Sequence, residues 1–156
     1  MYLAVVVLLM GVFPVASVVA EAAFEHGGAD PTLLIGKWFV FWSVGVRLVL
    51  AGLRQVMNPA FTAQTIFGIH DRSAFAVVRE LGFGNLSIGL LGACALFNRG
   101  WITPAALAGG LFYGLAGVDH MRRGDRSAKE TIAMVADLFV CLVLAFYLVA
   151  LLASPA

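Results

Sequence analysis

Residues 128–152 read AKETIAMVADLFVCLVLAFYLVALL. After Glu130 this stretch holds one charged side chain, Asp137, in a run long enough to cross a bilayer. About 20 largely apolar residues are needed, because a helix rises 1.5 Å per residue through roughly 30 Å of hydrocarbon. Ser127-Ala128-Lys129-Glu130 has the form of a capping box, which closes the free backbone donors of a first turn. The stretch therefore predicts a membrane helix that starts sharply and carries one acid at depth.

Four more apolar segments precede it, at about 1–20, 32–57, 75–97 and 104–121. The chain is read as a single transmembrane domain of residues 1–156: all-α, a four-helix bundle plus one extra N-terminal helix packed outside it. Composition agrees. Hydrophobic residues are 62% of the 156 and charged residues 12%, against about 45–50% and 25% in a soluble domain. Such a chain cannot hide its apolar surface from water. That excludes a disordered chain, a nucleic-acid binder and an ordinary soluble enzyme. The net charge of +1 implies no bulk electrostatic partner.

Punctuation marks the helix ends. Asp30-Pro31 and Thr103-Pro104 read as an N-cap followed by proline at the first helical position. Asn58-Pro59 closes the second span, since proline disfavours helical geometry in the residue before it. In the first segment Val18 and Ala20 resemble a signal-peptidase site. No Lys or Arg precedes the apolar run, so a retained helix is expected. NPAFTAQTIFGIHDRS, residues 58–73, is too polar to span and too apolar for a free loop. It is expected to lie along the interface as a short helix or re-entrant turn.

Orientation follows from the basic residues. Arg54, Arg72, Arg122, Arg123, Arg126 and Lys129 fall near one side of five spans, Lys37 and Arg99 near the other. The first side is expected to be cytoplasmic in a bacterial inner membrane. The N-terminus is then inside and the C-terminus outside, with Glu21, Glu25, His26 and Asp30 facing outward.

Ionisable residues inside spans are costly and mostly face the protein interior. Gly36, Ser43, Arg47 and Arg54 form one stripe of the second span. Glu80 shares a face with Gly84 and Ser87, and Asp137 with Met134 and Cys141. Counted from the cytoplasmic ends, Arg47, Glu80 and Asp137 reach similar depth, ringed by Arg54, Arg79, Asp119 and His120. These seven are the expected charge network. It is read either as a set of ion pairs fixing helix register or as a polar pocket for a ligand.

Small residues form a second pattern. Ala106, Gly110, Gly114 and Gly117 line one face of the fourth span; Gly82, Asn85, Gly89 and Gly92 line one face of the third. Such faces let helix backbones approach closely. His26, His70 and His120 show no metal-ligand spacing, so no metal is expected. Cys94 and Cys141 are expected to be buried free thiols.

The stretch KWFVFWSVGVRLVLAGLRQVMNPAFTAQTIFGI (37–69), followed by VRELGFGNLSIGLLG (78–92), resembles an uncharacterised group of small bacterial membrane proteins. That group is distantly similar to the DoxX-like four-helix membrane proteins. The resemblance covers about residues 33–150 and leaves the first helix as an addition. It implies links to quinone-coupled sulfur oxidation, redox stress or respiratory assemblies. No catalytic motif carries over, and no thiol pair is present for disulfide chemistry.

The expectation is therefore a bilayer-embedded protein that binds a lipid, isoprenoid or quinone near Arg47, Glu80 and Asp137. The alternative is an accessory subunit of a larger membrane complex, using its glycine faces for contacts; a membrane-protein partner or a homo-oligomer is the partner expected. A proton-coupled carrier or membrane enzyme is the third reading.

Overall fold

A computed structural model describes residues 2–24, 28, 30–122, 124 and 128–153. The described residues form an all-helical protein with five helices long and apolar enough to cross a membrane: Leu3–Phe24, Pro31–Met57, Ala74–Cys94, Arg99–Arg122 and Glu130–Ala153. They are called the first to fifth spans below. Large apolar side chains such as Phe83, Leu107, Leu142 and Val149 point outward. In water that would be unfavourable at every turn; in hydrocarbon it is the expected solvation. The chain is a multi-pass membrane protein.

The second span starts as its sequence dictates. The Asp30 side chain accepts from the Thr32 backbone N–H at 2.8 Å, and Pro31 occupies the first helical position. The span ends at Asn58, which leaves helical geometry ahead of Pro59. The fourth span starts differently from expectation. Asn98 is the cap: its Oδ1 accepts from the Gly100 N–H at 2.9 Å, and the 3-10 turn Arg99–Trp101 leads into Ile102–Arg122. Thr103-Pro104 lies inside the first turn, where the missing proline N–H has no helical partner to lose. This span is therefore longer than the expected 104–121. The capping-box Ser127 lies outside the described residues.

Between the second and third spans, Phe61–Ile66 makes a short π-helical turn with Thr62 and Ala63 buried. Just after it stands Gly68, whose φ of +67° suits a residue without Cβ. The Arg54 guanidinium sits 3.6 Å from the Phe61 ring centroid, pinning the turn back onto the second span. Asp71 accepts from the Ser73 N–H at 2.9 Å just before the third span. Those Ser73 bonds hold its carboxyl below the usual range.

Two pairings dominate the packing, second with third and fourth with fifth. The first is a mutual glycine seam. A Cβ on Gly45 would stand 2.7 Å from the Ala93 nitrogen, and one on Gly92 2.7 Å from the Gly45 nitrogen. A Cβ on Gly89 would lie 2.6 Å from the Val49 nitrogen, and one on Gly52 2.7 Å from the Gly82 oxygen. Such distances are below any real Cβ contact, so backbone touches backbone along the seam. The second pairing sets Gly114 under Cys141 and Gly117 under Leu138, while Gly110 meets Leu144 at ordinary contact. Ala106 is fully buried in the same core. The first span lies against the second and fifth, and its Val6 and Met10 join the core of Val44, Leu48, Tyr113 and Leu144.

Two stretches inside the spans are wound as π-helix, Leu8–Val12 in the first and Val40–Val46 in the second. An i→i+5 turn displaces carbonyls from the regular ladder and recurs at functional sites. Here the two π segments face each other.

Candidate functional site

The site begins at the π segments. Ser43 Oγ donates to the Leu9 carbonyl at 3.2 Å, joining the second span to the first. The Ser43 carbonyl in turn accepts a short hydrogen bond from the Tyr113 hydroxyl of the fourth span. Ser43 and Tyr113 are both fully buried. One turn beyond Ser43, Arg47 places its guanidinium carbon 5.9 Å from the Tyr113 ring centroid. Its charge acts on Tyr113 and on Asp137 of the fifth span. Asp137 is 6% exposed, and its Oδ1 is buried without a hydrogen-bond partner among the described residues.

Depth follows from counting. Arg47 lies ten residues before Met57, Tyr113 nine before Arg122 and Asp137 nine after Ala128. At 1.5 Å per residue all three sit roughly 14–15 Å from the same end of the bundle, near the hydrocarbon midplane. An unpaired charge there is costly, and Arg47 and Asp137 reduce that cost only together.

The structure thus brings together Arg47 and Asp137 from the expected network, and adds Tyr113 and Ser43. Glu80 and Arg79 stand apart and are exposed. The reason is the glycine seam. Gly82, Asn85, Gly89 and Gly92 are buried towards the second span. At about 100° per residue, Glu80 then projects from nearly the opposite face of its helix. The expected meeting of Glu80 with Arg47 is not made. Arg54 is exposed and engaged with Phe61, Asp119 is exposed, and His120 is half-buried near the end of the fourth span.

Asn85 makes a second buried polar contact, donating to Gln55 Oε1 at 2.7 Å across the seam. Its own Oδ1 is buried without a hydrogen-bond partner among the described residues. This amide pair lies two turns nearer the Met57 end than Arg47 and fixes the register of second against third span.

Sequence reading also missed a cluster at the other end of the bundle. Lys37 Nζ donates to both Glu21 oxygens at 2.6 and 2.7 Å, and Trp38 Nε1 donates to Oε2 at 2.6 Å. A signal was available. Glu21 closes the first span and Lys37 falls in the second turn of the next, so antiparallel neighbours set them at one level. Trp42 Nε1 adds a bond to Ser17 Oγ at 3.0 Å on the same interface.

Five apolar spans around buried Asp137 and Tyr113 and half-buried Arg47 define a polytopic α-helical membrane protein with an ionisable centre at mid-depth. Within that class the chain belongs to a family of unknown function, DUF6790, whose model matches residues 1–155. No curated protein and no solved structure matches it.

Proposed function

We propose that the protein binds an amphipathic membrane molecule (a lipid, isoprenoid or quinone) whose polar end engages Arg47, Tyr113 and Asp137. The observation that carries this reading is the Asp137 Oδ1 atom, buried at mid-depth with no hydrogen-bond donor among the described residues. A buried carboxylate oxygen without a donor is strongly unfavourable. A hydroxyl or protonated head from the bilayer supplies the missing donor. Arg47, whose charge acts on Tyr113 and Asp137, stands at the same level to face a carbonyl or an anionic oxygen of the same ligand. Two π-helical segments lie against each other here, a winding that recurs at functional sites.

The membrane is proposed to be the bacterial inner membrane, with the N-terminus cytoplasmic. The six-to-two distribution of basic residues supports this. A distant kinship with DoxX-like proteins is part of the same proposal and rests on the resemblance of residues 37–69 and 78–92.

An accessory subunit docking through its glycine faces is the alternative reading. Those faces are occupied inside the chain, by the second–third seam and the Cys141 and Leu138 contacts. A partner would have to meet the outward apolar side chains instead. Ligand occupancy per folded molecule, wild type against Asp137→Asn, separates the readings.

A further inference from the structure

The end of the bundle that carries Glu21 contains a cavity of about 220 Å³. Its polar lining is Glu21, Asp30, Lys37, Arg99, Thr103 and Tyr147. Glu21 is satisfied, taking two bonds from Lys37 and one from Trp38. Tyr147 and Thr103 share a hydroxyl contact at 3.2 Å. Asp30 uses one oxygen to cap the second span. Arg99 is exposed and its side chain makes no hydrogen bond or ion pair with any described residue, although its charge reaches Glu21. Lys37 spends two of its three donors on Glu21 and keeps one. The cavity therefore offers unused cationic donors from two different spans, with a carboxylate at its rim.

We propose that this cavity binds the phosphate of a membrane phospholipid headgroup, held by Arg99 and the remaining Lys37 donor. Guanidinium is the side chain best matched to phosphate, through paired N–H···O bonds. A headgroup amine would find Asp30 in the same lining. The level suits a headgroup. Glu21 is three residues from the end of its span, Asp30 is the cap of the next, and Arg99 opens the fourth. Trp38 and Trp101 lie at this level, as tryptophans do at membrane interfaces. The volume is below the range of sites that enclose a whole small molecule, so only the head is held and the acyl chains stay in the bilayer. Lys37 is ten residues from Arg47, and Tyr147 ten from Asp137. The two sites are thus separated by roughly 15 Å along the same spans, and binding here does not depend on the mid-depth site.

The test uses the full chain, stripped of lipid in a neutral maltoside. It is titrated with dihexanoyl phosphatidylethanolamine below its micellar concentration, following tryptophan fluorescence. Parallel titrations use dihexanoylglycerol, which lacks the phosphate, and inorganic phosphate. Saturable binding of the phospholipid, at least tenfold weaker in Arg99→Gln and unchanged in Arg72→Gln, is the expected result. Arg72 removes the same charge at the opposite end of the bundle. Inorganic phosphate binding as tightly as the phospholipid would assign the site to the free anion and overturn the lipid. Equal binding of dihexanoylglycerol, unchanged affinity in Arg99→Gln, or no saturation with any of the three would overturn the phosphate contact itself. The Arg99 side chain bonds to no described residue, so its variant is expected to remain folded and monodisperse.

Discussion

The Tyr113 hydroxyl donates to the backbone carbonyl of Ser43, seventy residues earlier, at a carbonyl inside the π-helical segment of the second span. This bond ties the fourth span to the second at the level where Arg47 and Asp137 act on each other. Tyr113→Phe removes the donor and leaves the Ser43 carbonyl buried without its partner. A loss of about 1–3 kcal/mol is expected. Thermal unfolding in detergent measures it, and a melting temperature equal to wild type would show that the bond contributes nothing.

Arg47 and Asp137 form the second relationship to test. Removing one partner strands a charge at mid-depth and is expected to destabilise by about 3–5 kcal/mol. Arg47→Leu should therefore melt well below wild type, and Arg47→Leu with Asp137→Leu should recover part of the loss. If the two losses simply add, the residues are energetically independent.

The glycine seam predicts a sharp contrast between neighbouring positions. Gly92→Leu forces a side chain against the Gly45 backbone and should cost at least the 1–3 kcal/mol typical of overpacking. Gly84, two turns away, has nothing within 4 Å of its built Cβ. Gly84→Leu should stay within about 0.5 kcal/mol of wild type. Equal effects at both positions would contradict the seam.

Topology is checked with single cysteines after Cys94 and Cys141 are replaced by alanine. Phe97→Cys marks the turn between third and fourth spans, and Gly124→Cys marks the connection between fourth and fifth. An impermeant thiol reagent applied to whole cells should label the first and spare the second. The reverse pattern would place the N-terminus outside.

The five spans were legible because hydrocarbon leaves the backbone one economical solution over a long apolar run. Asp30-Pro31 and Asn58-Pro59 marked ends correctly, being local devices that act through adjacent dihedrals. Thr103-Pro104 misled, since proline is tolerated throughout a first turn and Asn98 supplied the cap one turn earlier. Arg47 and Asp137 were found as charges in apolar runs. Glu80 was misplaced because depth alone was counted. Its azimuth is set by Gly82, Asn85, Gly89 and Gly92, and the face they share is opposite. Tyr113 carried no signal: an aromatic in an apolar run reads as packing, and the π-helical Ser43 carbonyl it meets has no signature in sequence.

The account rests on Asp137 meeting the polar end of a membrane molecule. Its most direct test is ligand occupancy per folded molecule, by native mass spectrometry of mildly purified protein, wild type against Asp137→Asn, with Cys141→Ala as the neighbouring control. Asparagine keeps the shape and removes the charge. The account predicts a bound lipid, isoprenoid or quinone in wild type and in Cys141→Ala, with occupancy falling several-fold in folded Asp137→Asn. Unchanged occupancy in the folded fraction, or no ligand in any of the three proteins, would contradict it and leave Arg47 and Asp137 as a register-fixing pair.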